Sequence, residues 1–307
     1  MNFLISPGPH LKDRASIPQL MSLVLAALLP AVIASIYFFG LQALVLMLVC
    51  TFSAVATEII CVKIMKSKTP VKGGGAILTG LLLAMTISPS FPLWAAALGS
   101  IFAIVIGKQL FGGLGYNIFN PALVGRAFLA AAFPVHMTSW VAPYAYRGLA
   151  TVTSATPLAV MKFQQQLTPY LKLLLGNVSG SVGETSALLL LLGGLFLVKK
   201  GVIDWRIPVS YIGAVAILSA VLGQDPLFHV LAGGLMLGAW FMATDYVTSP
   251  LTKKGMWVFG IGAGLLVVVI RLFSGLPEGV MYSILIMNAL VPLINRYTRP
   301  RIFGWKK

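Results

Sequence analysis

The run Thr151-Val152-Thr153-Ser154-Ala155-Thr156-Pro157 is the stretch of this sequence whose residue types and spacing most suggest chemistry. It leads into Leu158 to Leu175, an apolar stretch that reads as helical with a pause at Thr168-Pro169. Threonine is a favoured N-cap, and proline is favoured at the first helical position, so Thr156 stands where a helix begins. Free N–H groups and partial positive charge at such an end suit a phosphate. A phosphoester on Thr156 would put its oxygens where the capping hydroxyl otherwise sits, and an unmodified capping threonine fits the same pattern. The other reactive side chains point nowhere in particular. Cys50 and Cys61 lie eleven residues apart on one predicted helix, about 16 Å along its axis, too far to bridge, so a packing role is expected. His10, His136 and His229 show no metal-ligand spacing. The turn Gly112-Gly113-Leu114-Gly115 lacks the strand and spacing of a dinucleotide site and reads as a tight helix connection.

The elements that must position Thr156 are membrane helices. With 58% hydrophobic residues, 9% charged residues and a mean hydropathy of +0.94, the chain has too little charge to surface a soluble globule. Ten spans emerge as apolar runs near the length a helix needs to cross hydrocarbon, about 20 residues. They are Leu20 to Phe39, Leu41 to Val62, Gly75 to Ser88, Pro92 to Phe111, Ile118 to Phe133, Thr185 to Val198, Ile207 to Leu222, Leu227 to Thr244, Met256 to Phe273 and Gly279 to Ile294. The third and fifth are short and Gly-rich, which suits tilted, broken or re-entrant segments. The fold class expected is therefore all-α and polytopic.

The net charge of +15 does not read as a nucleic-acid surface, because the basic residues sit in short segments between spans with no basic stripe and interleaved aromatics. It reads as topology. With the N-terminus in the cytoplasm, 17 of the 22 basic residues fall inside, and the exceptions are Arg126, Arg147, Lys162, Lys172 and Arg271. Both termini are then cytoplasmic, and the first helix is expected to remain as an uncleaved anchor. Acidic residues within spans cost about 2.5–3.5 kcal/mol on insertion scales, so each asks for a reason. Glu58 is expected to snorkel toward Lys63, and Asp245 and Glu278 to be solvated or to cap helix ends. Arg126, inside a short apolar segment, suits a phosphate, a lipid headgroup or a backbone carbonyl.

The halves look alike. Leu78-Thr79-Gly80-Leu81, followed by a helix ending Gly107-Lys108-Gln109-Leu110-Phe111-Gly112, matches Leu231-Ala232-Gly233-Gly234, followed by a helix ending Ile270-Arg271-Leu272-Phe273-Ser274-Gly275. Five spans per half is odd, so the duplication would be inverted across the membrane, as in many transporters. The expected organisation is a first membrane half at 1–133, an extracytoplasmic segment at 134–182 and a second membrane half at 183–307. On this pattern alone, a channel or secondary transporter for a small solute is the competing reading.

The segment from Gly107 to Phe128, with Gly112-Gly113-Leu114-Gly115-Tyr116-Asn117, Asn120-Pro121-Ala122 and Arg126 inside it, resembles the signature of the D subunits of Rnf complexes and of the related B subunit of the Na⁺-pumping NADH:quinone reductase. Ser154-Ala155-Thr156-Pro157, Met242 to Pro250 and Pro277-Glu278-Gly279-Val280 resemble the same family, so the likeness covers nearly the whole chain. The resemblance implies a flavin-carrying subunit that passes electrons between ferredoxin and NAD⁺ while Na⁺ or H⁺ moves. It implies FMN joined as a phosphoester to Thr156, with Thr153 and Ser154 as motif residues and Arg126 a candidate cofactor contact. A second, noncovalent flavin is admitted. The family motif resembles Asp-x-x-Ser/Thr-Gly/Ser-Ala-Thr, and Ala150 stands here in the place of its aspartate. Implied partners are the A, B, C, E and G subunits of the complex, a flavin transferase and the lipid of a bacterial inner membrane.

The basic-residue bias generates a direct test. A cysteine placed at Thr151 should react with an impermeant maleimide from the extracytoplasmic side only, and labelling from the cytoplasmic side alone would invert the topology.

Overall fold

The computed structural model describes residues 16–66, 73–147, 154–184 and 186–300, and among them the regular structure is helical. The first half contains α1 (Ile17–Phe39), α2 (Leu41–Ile64), α3 (Gly75–Met85), α4 (Leu93–Val105) and α5 (Pro121–Ala132). Three short helices follow, α6 (Pro134–Met137), α7 (Pro157–Gln164) and α8 (Tyr170–Leu175). The second half contains α9 (Ala187–Lys199), α10 (Arg206–Val221), α11 (Pro226–Leu231), α12 (Leu235–Leu237), α13 (Lys253–Phe273) and α14 (Val280–Thr298). Five stretches are long and apolar enough to cross a membrane: Ile17–Phe39, Leu41–Ile64, Leu93–Phe111, Lys253–Phe273 and Val280–Thr298. α3, α5, α9 and α10 are shorter apolar helices.

Helix starts follow local chemistry. Ser16 and Gln19 form a reciprocal capping box at α1, with the Ser16 N–H donating to Gln19 Oε1 at 3.0 Å. Asn120 caps α5 by accepting from the N–H groups of Ala122 and Leu123 at 3.0 and 3.4 Å, with Pro121 at the first position. Ser186 and Thr252 cap α9 and α13 in the same way.

Packing is that of a membrane protein. Large apolar side chains such as Phe52, Ile64, Ile217 and Val221 point outward, 65–77% exposed, while Ala27, Ala31, Ala43, Ala54, Ala95, Ala96 and Ala103 fill the interior. Lipid tails are as apolar as leucine, so helices associate by close approach of small residues. At Gly80 of α3 a Cβ would lie 2.6 Å from Thr51 Cα of α2. At Gly264 of α13 it would lie 2.6 Å from Ala214 Cβ of α10, and at Gly125 of α5 2.8 Å from Ala103 Cβ of α4. The helix order repeats between halves: α2 packs on α3 and α4 and α4 on α5, as α10 packs on α11 and α13 and α13 on α14. The leading helices α1 and α9 meet each other.

The eighth span departs from the sequence expectation of one helix over Leu227 to Thr244. The chain forms α11, extends at Ala232 and passes through Gly233 and Gly234 at φ of +69° and +65°. It resumes as α12, which runs into a π-helical turn at Gly238–Met242. Two successive left-handed residues are tolerated only because both are glycine.

Gly80 and Gly213 make a matched test of this packing. Gly80→Leu should destabilise the protein by about 1–3 kcal/mol or more through overpacking against α2. Gly213→Ala, where a Cβ meets nothing within 4 Å, should be neutral or slightly stabilising. Thermal unfolding in detergent distinguishes the two.

Candidate functional site

Thr156 sits where the sequence places it, at the head of α7. Its backbone is extended (φ −67°, ψ 156°), and its Oγ accepts from Ala159 N–H at 3.3 Å, with Pro157 following. The residue is 2% exposed. Just before it, the Ser154 N–H donates to the Trp140 carbonyl at 3.0 Å, and Ser154 Oγ donates to Ser179 Oγ at 2.6 Å, so both ends of the long connection are tied together here. Thr153 and Ala150 lie outside the described residues.

α7 docks on the broken eighth span. Leu158 shares a small apolar core with Leu173 of α8, Phe228 of α11 and Ala232, and it rests against Gly233, where a Cβ would collide with it. Lys162 then reaches the end of α13, donating to the carbonyls of Arg271 at 2.8 Å, Leu276 at 3.2 Å and Ser274. Burial lowers the pKa of this ammonium. Arg271 performs the same service one layer deeper. Its guanidinium donates to the carbonyls of His229 (2.5 Å), Ala232 (2.9 Å) and Gly233 (3.2 Å), the groups freed where α11 ends. Tyr170 of α8 donates to Asp225, whose other oxygen caps α11 through Phe228 N–H at 3.1 Å. That bond is the main reason the Asp225 carboxyl is held below its usual range and the Tyr170 phenol above.

Three sequence expectations for charged residues are corrected. Glu58 does not turn toward Lys63; its Oε1 accepts from Lys108 at 2.5 Å, in a pair 4% and 7% exposed at the side chains. A partner on α2 itself would leave the carboxylate at the lipid face, whereas Lys108 meets it inside the bundle. Arg126 turns to a carboxylate, pairing with Glu278 Oε2 at 2.5 Å. Glu278 is thereby an ion-pair partner instead of a solvated helix end. At the head of α5, Asn120 Nδ2 donates to the Met242 carbonyl at 3.2 Å. Asn288, its amide oriented to match its neighbours, accepts from Asn120 N–H and donates to the Thr248 carbonyl.

Three cavities adjoin these groups. One of about 590 Å³ runs beside α7 and includes Lys162, Gln165 and Gln224 in its wall. One of about 170 Å³ lies between α5 and α14 beside Arg126, Glu278 and Trp140. One of about 90 Å³ lies near Lys108, Asn120 and Asp245. The residues around Thr156 fit a phosphate-linked group: the hydroxyl is at a helix start, an N–H donor is aimed at it, and a cavity large enough for a cofactor opens along the same helix. Sequence reasoning missed Lys162 and Arg271 as structural donors. Their signal was present, since both are among the basic residues that break the inside-positive pattern.

Apolar helices long enough to cross a membrane, shorter broken ones and a small-residue interior define a polytopic helical membrane protein. The chain belongs to the NQR2, RnfD, RnfE family, whose model matches residues 4–304. It is 48% identical to the D subunit of the Na(+)-translocating ferredoxin:NAD(+) oxidoreductase complex of Acetobacterium woodii, over 100% of this chain and 97% of that one. It is 45% identical to the D subunit of the proton-translocating ferredoxin:NAD(+) oxidoreductase complex of Clostridium ljungdahlii, over 99% and 97%. It is 42% identical to the D subunit of the ion-translocating oxidoreductase complex of Stutzerimonas stutzeri, over 95% and 93%.

The Arg126 and Glu278 pair should behave as a unit. Glu278→Met alone should cost about 3–5 kcal/mol by stranding a buried guanidinium, and the double replacement Arg126→Met with Glu278→Met should recover most of it. Unfolding midpoints of the two single variants and the double variant, measured in one detergent, give the coupling.

Proposed function

We propose that this chain is the flavin-carrying D-type subunit of an Rnf-type complex, passing electrons through FMN esterified to Thr156 while Na⁺ or H⁺ crosses the membrane. The observation that carries this reading is Thr156 itself, which ends Thr153-Ser154-Ala155-Thr156 and caps α7 inside the 134–182 connection. Attachment follows from the chemistry of the donor. The Thr156 hydroxyl oxygen attacks the FMN phosphorus of FAD, the pyrophosphate P–O bond breaks, AMP leaves with the bonding electrons, and the hydroxyl proton passes to base. A flavin transferase would catalyse this step. Because Thr156 is 2% exposed, the transfer must occur before α7 seats on α11, or with α7 lifted from it.

The bound flavin would supply reversible electron storage, and the protein would supply its position. Segment 134–182 would face outward between membrane halves at 1–133 and 183–307, both termini would be cytoplasmic, and the membrane would be a bacterial inner membrane. The A, B, C, E and G subunits would carry the nucleotide and remaining redox sites. The Acetobacterium woodii and Clostridium ljungdahlii relatives carry sodium and proton in their respective names, so either ion suits this scaffold. The driving force suffices for either. Two electrons falling through about 100 mV release about 4.7 kcal/mol, against about 2.3 kcal/mol for one charge moved against about 100 mV.

Intact-mass measurement on protein co-expressed with a flavin transferase tests the attachment. The wild type should gain one FMN, Thr156→Ala none, and Thr156→Ser a partial amount. Flavin persisting in Thr156→Ala would place the ester elsewhere.

A further inference from the structure

We propose that Glu184 is a proton-binding site: it holds one hydrogen ion where the long connection meets the two membrane halves, and Glu278 is the neighbour that keeps the proton there. The inference stands apart from the flavin reading.

The backbone puts Glu184 inside the bundle. Val182–Glu184 form a single tight turn before α9. The Val182 N–H donates to the Ile87 carbonyl at 3.0 Å, just past α3. A Cβ on Gly183 would lie 2.7 Å from the Met85 carbonyl oxygen and 2.9 Å from Leu237 Cδ2, so the turn is wedged between α3 and α12. The carboxyl that follows lies against the break of the eighth span, where a Cβ on Gly234 would be 3.2 Å from Glu184 Oε1. One helical turn on, the Gly238 N–H donates to the Gly234 carbonyl, and a Cβ on Gly238 would collide with Val280, two residues after Glu278. Helical residues four apart share a face, so Glu184 and the chain around Glu278 approach the same side of this segment.

Charge pairing then leaves one carboxyl short. Three charged groups act on Glu184: Arg126, Glu278 and Arg271. The Arg126 guanidinium is given to Glu278 Oε2 at 2.5 Å, and that of Arg271 to the carbonyls of His229, Ala232 and Gly233. The helices α1, α3 and α12 pack on the turn and carry no charged side chain. Glu184 Oε2 receives the Ser181 N–H at a long 3.4 Å. Among the described residues, Glu184 Oε1 and Glu278 Oε1 are both shut off from solvent without a hydrogen-bond partner. A buried carboxylate so poorly compensated gives up its charge by taking a proton. The proton goes to Glu184 because Glu278 already has a guanidinium. Burial and then the negative charge of Glu278 raise the Glu184 pKa well above the usual carboxylate range, against the opposing pull of Arg126. Glu184 ends the connection, Arg126 lies in the first half and Glu278 in the second, so one proton sets the charge where all three parts meet.

The test uses the full chain in lipid nanodiscs and reads the infrared carbonyl stretch of protonated carboxyls during a pH titration. At neutral pH the wild type should show a protonated-carboxyl band that Glu184→Gln lacks, and the band should vanish on alkaline titration. Glu278→Gln should lose it at neutral pH, because Arg126 is then free to take Glu184. Thermal unfolding gives a second readout with a fixed sign. A raised folded-state pKa means that stability falls as pH rises from the unfolded glutamate pKa through the folded value. The wild-type midpoint should therefore fall relative to that of Glu184→Gln over this range. Identical neutral-pH spectra for wild type and Glu184→Gln would overturn the proposal, as would a band that persists in Glu278→Gln. A Glu184→Gln chain that does not fold counts against it too, since glutamine is the neutral isostere of the protonated form. Exchanging potassium for sodium chloride at fixed pH should leave the band in place; its loss would make the occupant a metal cation instead.

Discussion

A carbonyl freed inside a bilayer has no water to turn to, and this constraint governs the second half of the molecule. Where the eighth span breaks, the carbonyls of His229, Ala232 and Gly233 lose continuous helical partners, and Arg271 supplies all three. The magnitudes favour this arrangement. Leaving a buried polar group unsatisfied costs about 1–3 kcal/mol, so three cost about 3–9 kcal/mol. Placing one arginine in a span costs about 2.5–3.5 kcal/mol on insertion scales. A cation in the membrane is thus less costly than the gap it fills. Lys162 repeats the solution at the end of α13, so the break and the helix beside it are both closed by cations.

The repeat is kept in helix order and altered in this chemistry. Lys108, just past α4, and Arg271, in the last turn of α13, sit at the end of the fourth helix of each half, and each lies near a third segment that starts at a left-handed glycine, Gly74 or Gly234. Lys108 nevertheless pairs with Glu58, and α3 is one helix from Gly75 to Met85. In the second half the cation serves backbone carbonyls, and the span it serves is broken. The broken copy is the one on which α7 docks.

Local rules made much of this legible. Thr156-Pro157 announced a helix start and delivers one, and the spans read from Leu20 and Ile118 begin within a few residues of the caps at Ser16 and Asn120. The break was not legible, because glycine pairs are ambiguous in isolation. Gly193-Gly194 stays helical within α9, packed against Ala27 and Trp240, whereas Gly233-Gly234 turns left-handed because Arg271, nearly forty residues away, takes the freed carbonyls. Ion pairing failed for the same reason. Glu58 had a cation five residues on, but its partner is fifty residues away, and Arg126 finds Glu278 across the two halves. The clue lay in the exceptions to the charge bias: of the five basic residues that do not fit it, Arg126, Lys162 and Arg271 each have a named partner within the protein.

These contacts make the long connection part of the membrane body. The apolar core under α7 is not built from 134–182 alone, since Leu158 and Leu173 close it only together with Phe228 and Ala232 from the broken span. Conversely, α11 is capped by Asp225, and Asp225 receives Tyr170 from α8. Each side therefore completes the other: without α7 and α8 the end of the eighth span is exposed, and without the break Leu158 has no glycine to rest against. Thr156 is buried because of that mutual closure. Thr156 thus stands at the junction of the connection and the broken span, at the head of the same helix whose Lys162 holds the end of α13.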